Sequence, residues 1–177
     1  MRNFSMVLAV SDSDVLIHLA KLDLLKLLKY QFSKIYISET VYDETVIQGL
    51  NSQKKDAKDL QKFFKLELIS IEKVIQQLID DVIKKHHIHK GESSFISLAK
   101  KYNVDYCLTN EIKARNVIKS ESFKVIGTLG IILKAYSIEK IKKQICIKHL
   151  KYIQSHPKEF RFHPKLINEI IKKVEKS

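Results

Sequence analysis

The 177-residue chain is 45% apolar and 29% charged, a balance that belongs to a packed globular fold and excludes a disordered or fibrous one. Its formal charge of +12 is uneven: residues 134–177 hold 12 Lys/Arg against 4 Asp/Glu, while residues 1–133 hold 20 against 16. A basic surface of this kind attracts polyanions, although lysines that merely solvate helix faces give the same count. No apolar run approaches the ~20 residues of a membrane span, and MRNFSMVLAV lacks a secretion cleavage pattern, so a cytoplasmic protein with no membrane partner is expected. Cys107 falls in an expected buried strand and Cys146 in a Lys-rich helix, which makes both free thiols and neither a disulfide nor a zinc site.

In chain order, MVLAVSD reads as a buried strand and DVLIHLAKLDLLKLLKY as one amphipathic helix carried by its leucine spacing. IYIS is a second strand, running into a helix capped by Ser38 and continuing through ETVYDETVIQGL to Gly49. SQKKDAKDLQKFFK is a polar helix and LELISI a strand with alternating faces. EKVIQQLIDDVIKKHH and ESSFISLAKKYN follow as helices, the second entered through Gly91. DYCLT is a strand, EIKARNVIK a short helix, KVIG a strand, and TLGIILKAYS a helix begun at Thr128. The tail is helical through SIEKIKKQICIKHLKYIQ, breaks at Pro157, and resumes in HPKLINEIIKKVEKS. Strands alternating with helices imply βαβ units and a parallel sheet. With four glycines, two prolines and no linker, the economical organisation is one α/β domain over 1–177, a core of 1–136 and a helical extension of 137–177.

Four short motifs carry acids or near-acids: Asp12 in VLAVSDSDVLIHL, Glu44 in VYDETV, Glu92 in HKGESSFISLAKK, and Asn110-Glu111 in YCLTNEIKAR. Apolar runs end at Asp12 and just before Asn110, which puts both at the carboxyl ends of parallel strands, where open α/β sheets form ligand sites. Carboxylates gathered there suit a hard divalent cation. Taken one at a time, each has a plainer reading: Asp12 as a helix cap, Glu92 as a first-turn acid facing the helix dipole, Glu44 on a solvated face.

VSDSDVLIHLAKLDLL, ISETVYDETV, KGESSFISLAKK and YCLTNEIKARNVIK, followed by KVIGTLGIILKA, resemble the successive motifs of the PIN-domain family, in the branch related to the toxins of VapBC-type toxin–antitoxin systems. The tail FRFHPKLINEIIKK resembles the end of that branch, so the likeness runs from Val7 to Val174. The resemblance implies a three-layer α/β/α fold with a central, mainly parallel sheet. It also implies a Mg²⁺- or Mn²⁺-dependent endoribonuclease that leaves 5′-phosphate and 3′-hydroxyl ends. Asp12, Glu44 and Glu92 match the first three acidic positions of the family and Asn110 the fourth, and these four would form the catalytic set. Asp12, Glu92 and Asn110 would hold metal, with Asp14, Glu44 and Glu111 as further donors; Ser13, Lys113 and Arg115 would contact RNA, together with lysines of the extension. A small antitoxin would mask the acidic cleft with an inserted Arg or Lys, and homodimers are common in the family.

Two positions depart from the pattern. Asn110 stands in LTNE where the family has aspartate, and Asp14 stands where Ser or Asn is usual. At an effective dielectric of ~20 an ion pair at 4 Å is worth roughly 4 kcal/mol, so a missing carboxylate weakens metal affinity unless Glu111 or Asp14 compensates. The alternative is therefore a PIN-fold protein that binds nucleic acid or a protein partner without cleaving.

Other signals are weaker. DSDVL also fits the start of haloacid-dehalogenase-like phosphatases, but the adjacent acids that mechanism needs, Asp80-Asp81, fall mid-helix. His86, His87 and His89 lack a nearby cysteine or further histidine for zinc and read as a solvated helix end or cationic contacts with RNA. Phe95, Tyr102 and Tyr106 read as core.

Overall fold

The computed structural model describes residues 6–177; residues 1–5, the head of the MRNFSMVLAV segment, lie outside the described residues. The chain divides into two compact units, one up to Thr128 and one from Leu129 to Ser177.

The first unit is built on five parallel strands: β1 (Leu8–Ser11), β2 (Lys34–Ser38), β3 (Ile69–Glu72), β4 (Tyr106–Leu108) and β5 (Lys124–Ile126), in the order β3-β2-β1-β4-β5. Every pairing is parallel, so the sheet expected to be mainly parallel is wholly so. The central strand β1 buries Ala9 and Val10 completely, as a strand covered on both faces requires. It pairs with β4 through Val10 against Cys107 and Ser11 against Leu108. The order of strands reverses between β1 and β4, because β1 leads on to β2 on one side while β4 and β5 lie on the other.

Around the sheet run α1 (Ser13–Lys21), α2 (Glu39–Tyr42), α3 (Gln48–Asn51), α4 (Lys55–Phe63), α5 (Gln76–His86), α6 (Lys90–Tyr102) and α7 (Ile112–Ser120). The expected single helix over 14–30 breaks after Lys21: Asp23 takes a left-handed φ of 56°, and Leu25–Tyr30 forms a tighter 3₁₀ turn. A nine-residue α-helix and a 3₁₀ segment replace one long helix, and Leu22, Leu24, Leu27 and Leu28 are all buried. Between α2 and α3, Asp43–Ile47 is π-helical, with the Thr45 hydroxyl donating to the Val41 carbonyl at 2.6 Å. At Gly49 a Cβ would stand 2.7 Å from the Ala57 Cβ, so glycine is what lets this stretch close against α4.

Helix α6 packs over β1 and β2. It starts at Lys90, two residues earlier than expected, so Gly91 lies within its first turn. The serines on its buried face are satisfied locally: Ser93, Ser94 and Ser97 donate to the carbonyls of His89, Lys90 and Ser93 at 2.9, 2.9 and 2.7 Å. Phe95 is buried core there, while the half-buried Tyr102 stacks on Tyr36 with centroids 3.8 Å apart and the half-buried Tyr106 packs at a steep angle to Phe32.

The second unit contains the body of α8 (Thr128–Ser137), then α9 (Lys143–Ser155), α10 (Pro157–Phe160) and α11 (Pro164–Lys176). Pro157 opens the short α10, where proline loses no hydrogen bond. Helices α9 and α11 pack together, burying Cys146, Leu150 and Ile153 on one and Ile167, Ile171 and Val174 on the other. Both cysteines are free and buried, and burial pushes the Cys107 thiol up to about 12. Among the described residues no helix is long and apolar enough to cross a membrane.

Candidate active site

Asp12 is the first residue beyond β1 and Asn110 the second beyond β4, so both sit at the carboxyl edge where the strand order reverses. That crevice is the ligand position general to open α/β sheets. The backbone sets it directly: the Asp12 N–H donates to the Leu108 carbonyl at 3.1 Å, and the Thr109 N–H to the Ile126 carbonyl at 3.1 Å, extending both ladders by one residue.

Asp12 does cap α1, its Oδ1 accepting from the Val15 N–H at 3.0 Å. The cap does not exhaust the carboxyl group. Burial pushes its pKa up to about 7 against the hydrogen bonds from Thr109 and Val15, and the nearby charges of Asp14 and Glu111 push the same way. A desolvated carboxyl beside two other acids is a place where a cation replaces repulsion with attraction.

Asn110 occupies a polar knot. Its Nδ2 donates to Asp14 Oδ2 at 2.9 Å and to Thr128 Oγ1 at 3.0 Å, and its Oδ1 accepts from the Thr128 N–H at 3.0 Å. His18, only 2% exposed, closes the knot: Nε2 lies 3.4 Å from Asp14 Oδ1, and Nδ1 lies 3.3 Å from both Thr128 Oγ1 and Asn110 Nδ2. A carboxylate only accepts, so in neutral His18 the proton belongs on Nε2 and Nδ1 accepts. Asn110 therefore orients Asp14 and the start of α8 as a donor, which an aspartate at this position would do only when protonated. Gly127 is required beside it, since a Cβ there would stand 2.5 Å from Asn110 Oδ1 and 3.1 Å from the Thr109 carbonyl oxygen.

The other expected residues are placed as follows. Glu92 is the third residue of α6, which feeds β4 and so brings its own start to the carboxyl edge of the sheet. Its Oε2 accepts from the His89 N–H at 3.3 Å, half of a capping box. Glu44 is exposed on the π-helical turn that follows β2. Among the described residues, no group of three or more His, Cys, Asp or Glu side chains is placed to hold a metal ion together. Ser13 opens α1, Lys113 is exposed on α7, and Glu111 precedes α7 with its N–H donating to Thr109 Oγ1 at 3.1 Å. Arg115 is turned inward, Nη1 donating to the Thr109 carbonyl at 2.9 Å, so it braces the end of β4. His18, Thr109 and Thr128 join the site without a motif that announces them there, Thr128 being legible only as a helix start; the one local signal is the Asp14–His18 spacing of four on a helix.

The two rival motifs resolve simply. Asp80 and Asp81 are mid-helix in α5, accepting from Gln76 and Gln77 at 2.8 and 3.0 Å, which removes the phosphatase acid pair. His86 is no zinc ligand in waiting but binds Glu121 at 2.7 Å.

Magnesium needs only one or two carboxylates and keeps several waters, so the chemistry of the Asp12 carboxyl, with the charges of Asp14 and Glu111 acting on it, suits the ion although the described residues form no group of three acids placed to hold one. A family model described as PIN domain matches residues 8–176. The chain belongs to the PIN-domain family. Two solved PIN-like structures bear on the fold. VapC20 of Mycobacterium tuberculosis, described as a sarcin–ricin loop cleaving toxin, superposes with a TM-score of 0.50 at 9% identity, covering 62% of this chain and 94% of its own. PAE2754 of Pyrobaculum aerophilum superposes with a TM-score of 0.53 at 14% identity, covering 75% and 99%. Identities this low speak to the PIN fold alone. No curated protein matches the chain.

Proposed function

We propose that this PIN-domain chain is a divalent-metal-dependent endoribonuclease of the cytoplasm, the toxin of a toxin–antitoxin pair. The observation that carries the reading is the position of Asp12: a desolvated carboxyl at the reversal of a parallel sheet, with Asp14 and Glu111 acting on it. Mg²⁺ or Mn²⁺ held by Asp12, with Asp14 and Glu111 as further donors, would supply Lewis acidity at a phosphodiester. Asn110 and His18 hold the Asp14 carboxylate in place, and Arg115 stiffens the end of β4 from which Asn110 projects. Glu92 and Glu44 would add negative charge to this site and orient a metal-bound water. Lys113, exposed on α7, and the Ser13 hydroxyl are the phosphate contacts of this edge. An antitoxin would silence the site by placing an Arg or Lys among these acids, and a homodimer is the expected assembly.

A second reading has its own observation: Asn110, where the family has aspartate, donates its amide to Asp14 and Thr128, which favours a PIN fold that binds without cleaving. One experiment separates them. Mg²⁺ and Mn²⁺ are titrated into the pure protein by calorimetry while cleavage of a mixed single-stranded RNA pool is followed, with Asp12→Asn alongside. Metal binding and cleavage that both vanish in Asp12→Asn establish the nuclease; RNA binding with neither establishes the non-catalytic protein.

A further inference from the structure

The C-terminal unit has a surface that the acidic site leaves unused. Along α9 the buried positions are Cys146, Leu150 and Ile153. A second stripe, Ile145, Lys148, Tyr152 and the cap residue His156, follows helical spacing of three and four on the exposed side. Ile145 is 41% and Tyr152 44% exposed. Single exposed apolar residues are ordinary. Here the rings are held rigidly. Tyr152 and His156 stack with centroids 4.1 Å apart and planes 25° apart, and buried Phe160 meets Tyr152 at a steep 76° with centroids 6.1 Å apart. The His156 ring is pinned as well, because Nδ1 lies 2.8 Å from the Tyr152 carbonyl oxygen and must donate to it.

Charge says what such a platform would meet. Residues 129–177 hold 12 Lys/Arg against 4 Asp/Glu, so most of the net charge of +12 lies in this unit. Lys148 is one turn before Tyr152 on the same stripe, Lys151 is its neighbour, and Lys158 follows on α10; all three are exposed. Aromatic rings interleaved with lysines are the equipment for single-stranded nucleic acid, in which bases stack on the rings and cations track the backbone. We infer that the Tyr152–His156 platform with Lys148 and Lys151 is a single-stranded RNA-binding surface, separate in its residues from the acidic site. It deepens the proposed function by giving the RNA a second hold, and it rests on RNA being the substrate class.

The test is fluorescence anisotropy of the full chain with a short labelled single-stranded RNA, in EDTA so that no cleavage contributes. A strand of the same length lacking its bases and a polyglutamate competitor serve as probes. Tyr152→Ala should lose about five-fold or more in affinity for the RNA, as loss of one base stack implies, and nothing for the abasic strand. Lys148→Gln/Lys151→Gln should weaken both strands and flatten the salt dependence. RNA affinity unchanged in both variants overturns the inference, and so does polyglutamate displacing RNA at equal charge, which would mark an acidic protein as the occupant. Should Tyr152→Ala fail to fold, the exposed lysine pair decides. Because the assay needs neither metal nor turnover, a protein that binds through the platform but never cleaves refutes the nuclease and keeps the platform.

Discussion

At the scale of residues, the neighbours of Asn110 turn it into a sharp experiment. Its Nδ2 donates to Asp14 Oδ2 at 2.9 Å, so Asn110→Asp sets two carboxylates at hydrogen-bonding distance. In EDTA at neutral pH this substitution should destabilise the fold by about 1–3 kcal/mol, the cost of exchanging a donor for a like charge in a half-buried knot. Mg²⁺ should then stabilise the variant far more than it stabilises the parent, because the cation relieves the repulsion that the substitution creates. Chemical denaturation with and without Mg²⁺ reads both effects. Equal stability of the two proteins in EDTA would mean that Asn110 does not meet Asp14 as described, and the account of the knot would fall with it. The same contacts explain why this position was only partly legible in the sequence. The apolar run YCL placed it at a strand end, and the motif placed it opposite Asp12. What the amide does there depends on His18 and Thr128, partners 92 and 18 residues away, which no local pattern announces.

At the scale of elements, helices α5, α6 and α7 are tied by one carboxylate. Glu121, at the end of α7, meets Lys85 and His86 of α5 at 2.7 Å each and Lys100 of α6 at 2.9 Å. Hydrogen bonds from Lys85 and Lys100, with His86 adding to them, hold its pKa down to about 2 from an ordinary 4.5. A folded pKa below the unfolded one means the stabilisation is complete above pH 4.5 and is lost as pH falls from there toward 2. Glu121→Gln should therefore lower stability by about 1–2 kcal/mol at pH 7, the exposed Lys85 discounting the larger figure for a buried network. The gap between the two proteins should close as the pH drops below 4, and urea melts across that range test it; a gap independent of pH would show that packing, not charge, is lost. Sequence reading found every strand and most helices because apolar runs and caps such as Ser38 are local signals. It missed the break at Asp23 and the π-helical turn at Asp43–Ile47, since both are fixed by tertiary burial of leucines and of Thr45 and Val46, with no glycine or proline to mark them.

For the whole molecule, the two kinds of charge are divided between the two units: the acids that act on Asp12 belong to the first, and most of the excess of lysine to the second. If they serve one substrate by different means, their effects should separate cleanly in mutants. Asp12→Asn removes a carboxylate that burial disfavours, so the metal-free protein should melt no lower than the parent, while stabilisation by Mg²⁺ and RNA cleavage both disappear. Its RNA affinity in EDTA should stay within about two-fold of the parent, because the groups proposed to hold phosphate, Lys113, Ser13 and the lysines of α9, are left in place. Lys148→Gln/Lys151→Gln should do the converse. Mg²⁺ should stabilise that variant as it does the parent, while the plot of log affinity for single-stranded RNA against log salt becomes shallower by about 0.7 for each lysine removed. Thermal melts with and without Mg²⁺, an RNA cleavage assay and salt-dependent anisotropy on the same preparations test each of these. A lysine pair that also abolished stabilisation by Mg²⁺ would refute the division, since removing positive charge cannot by itself weaken the binding of a cation.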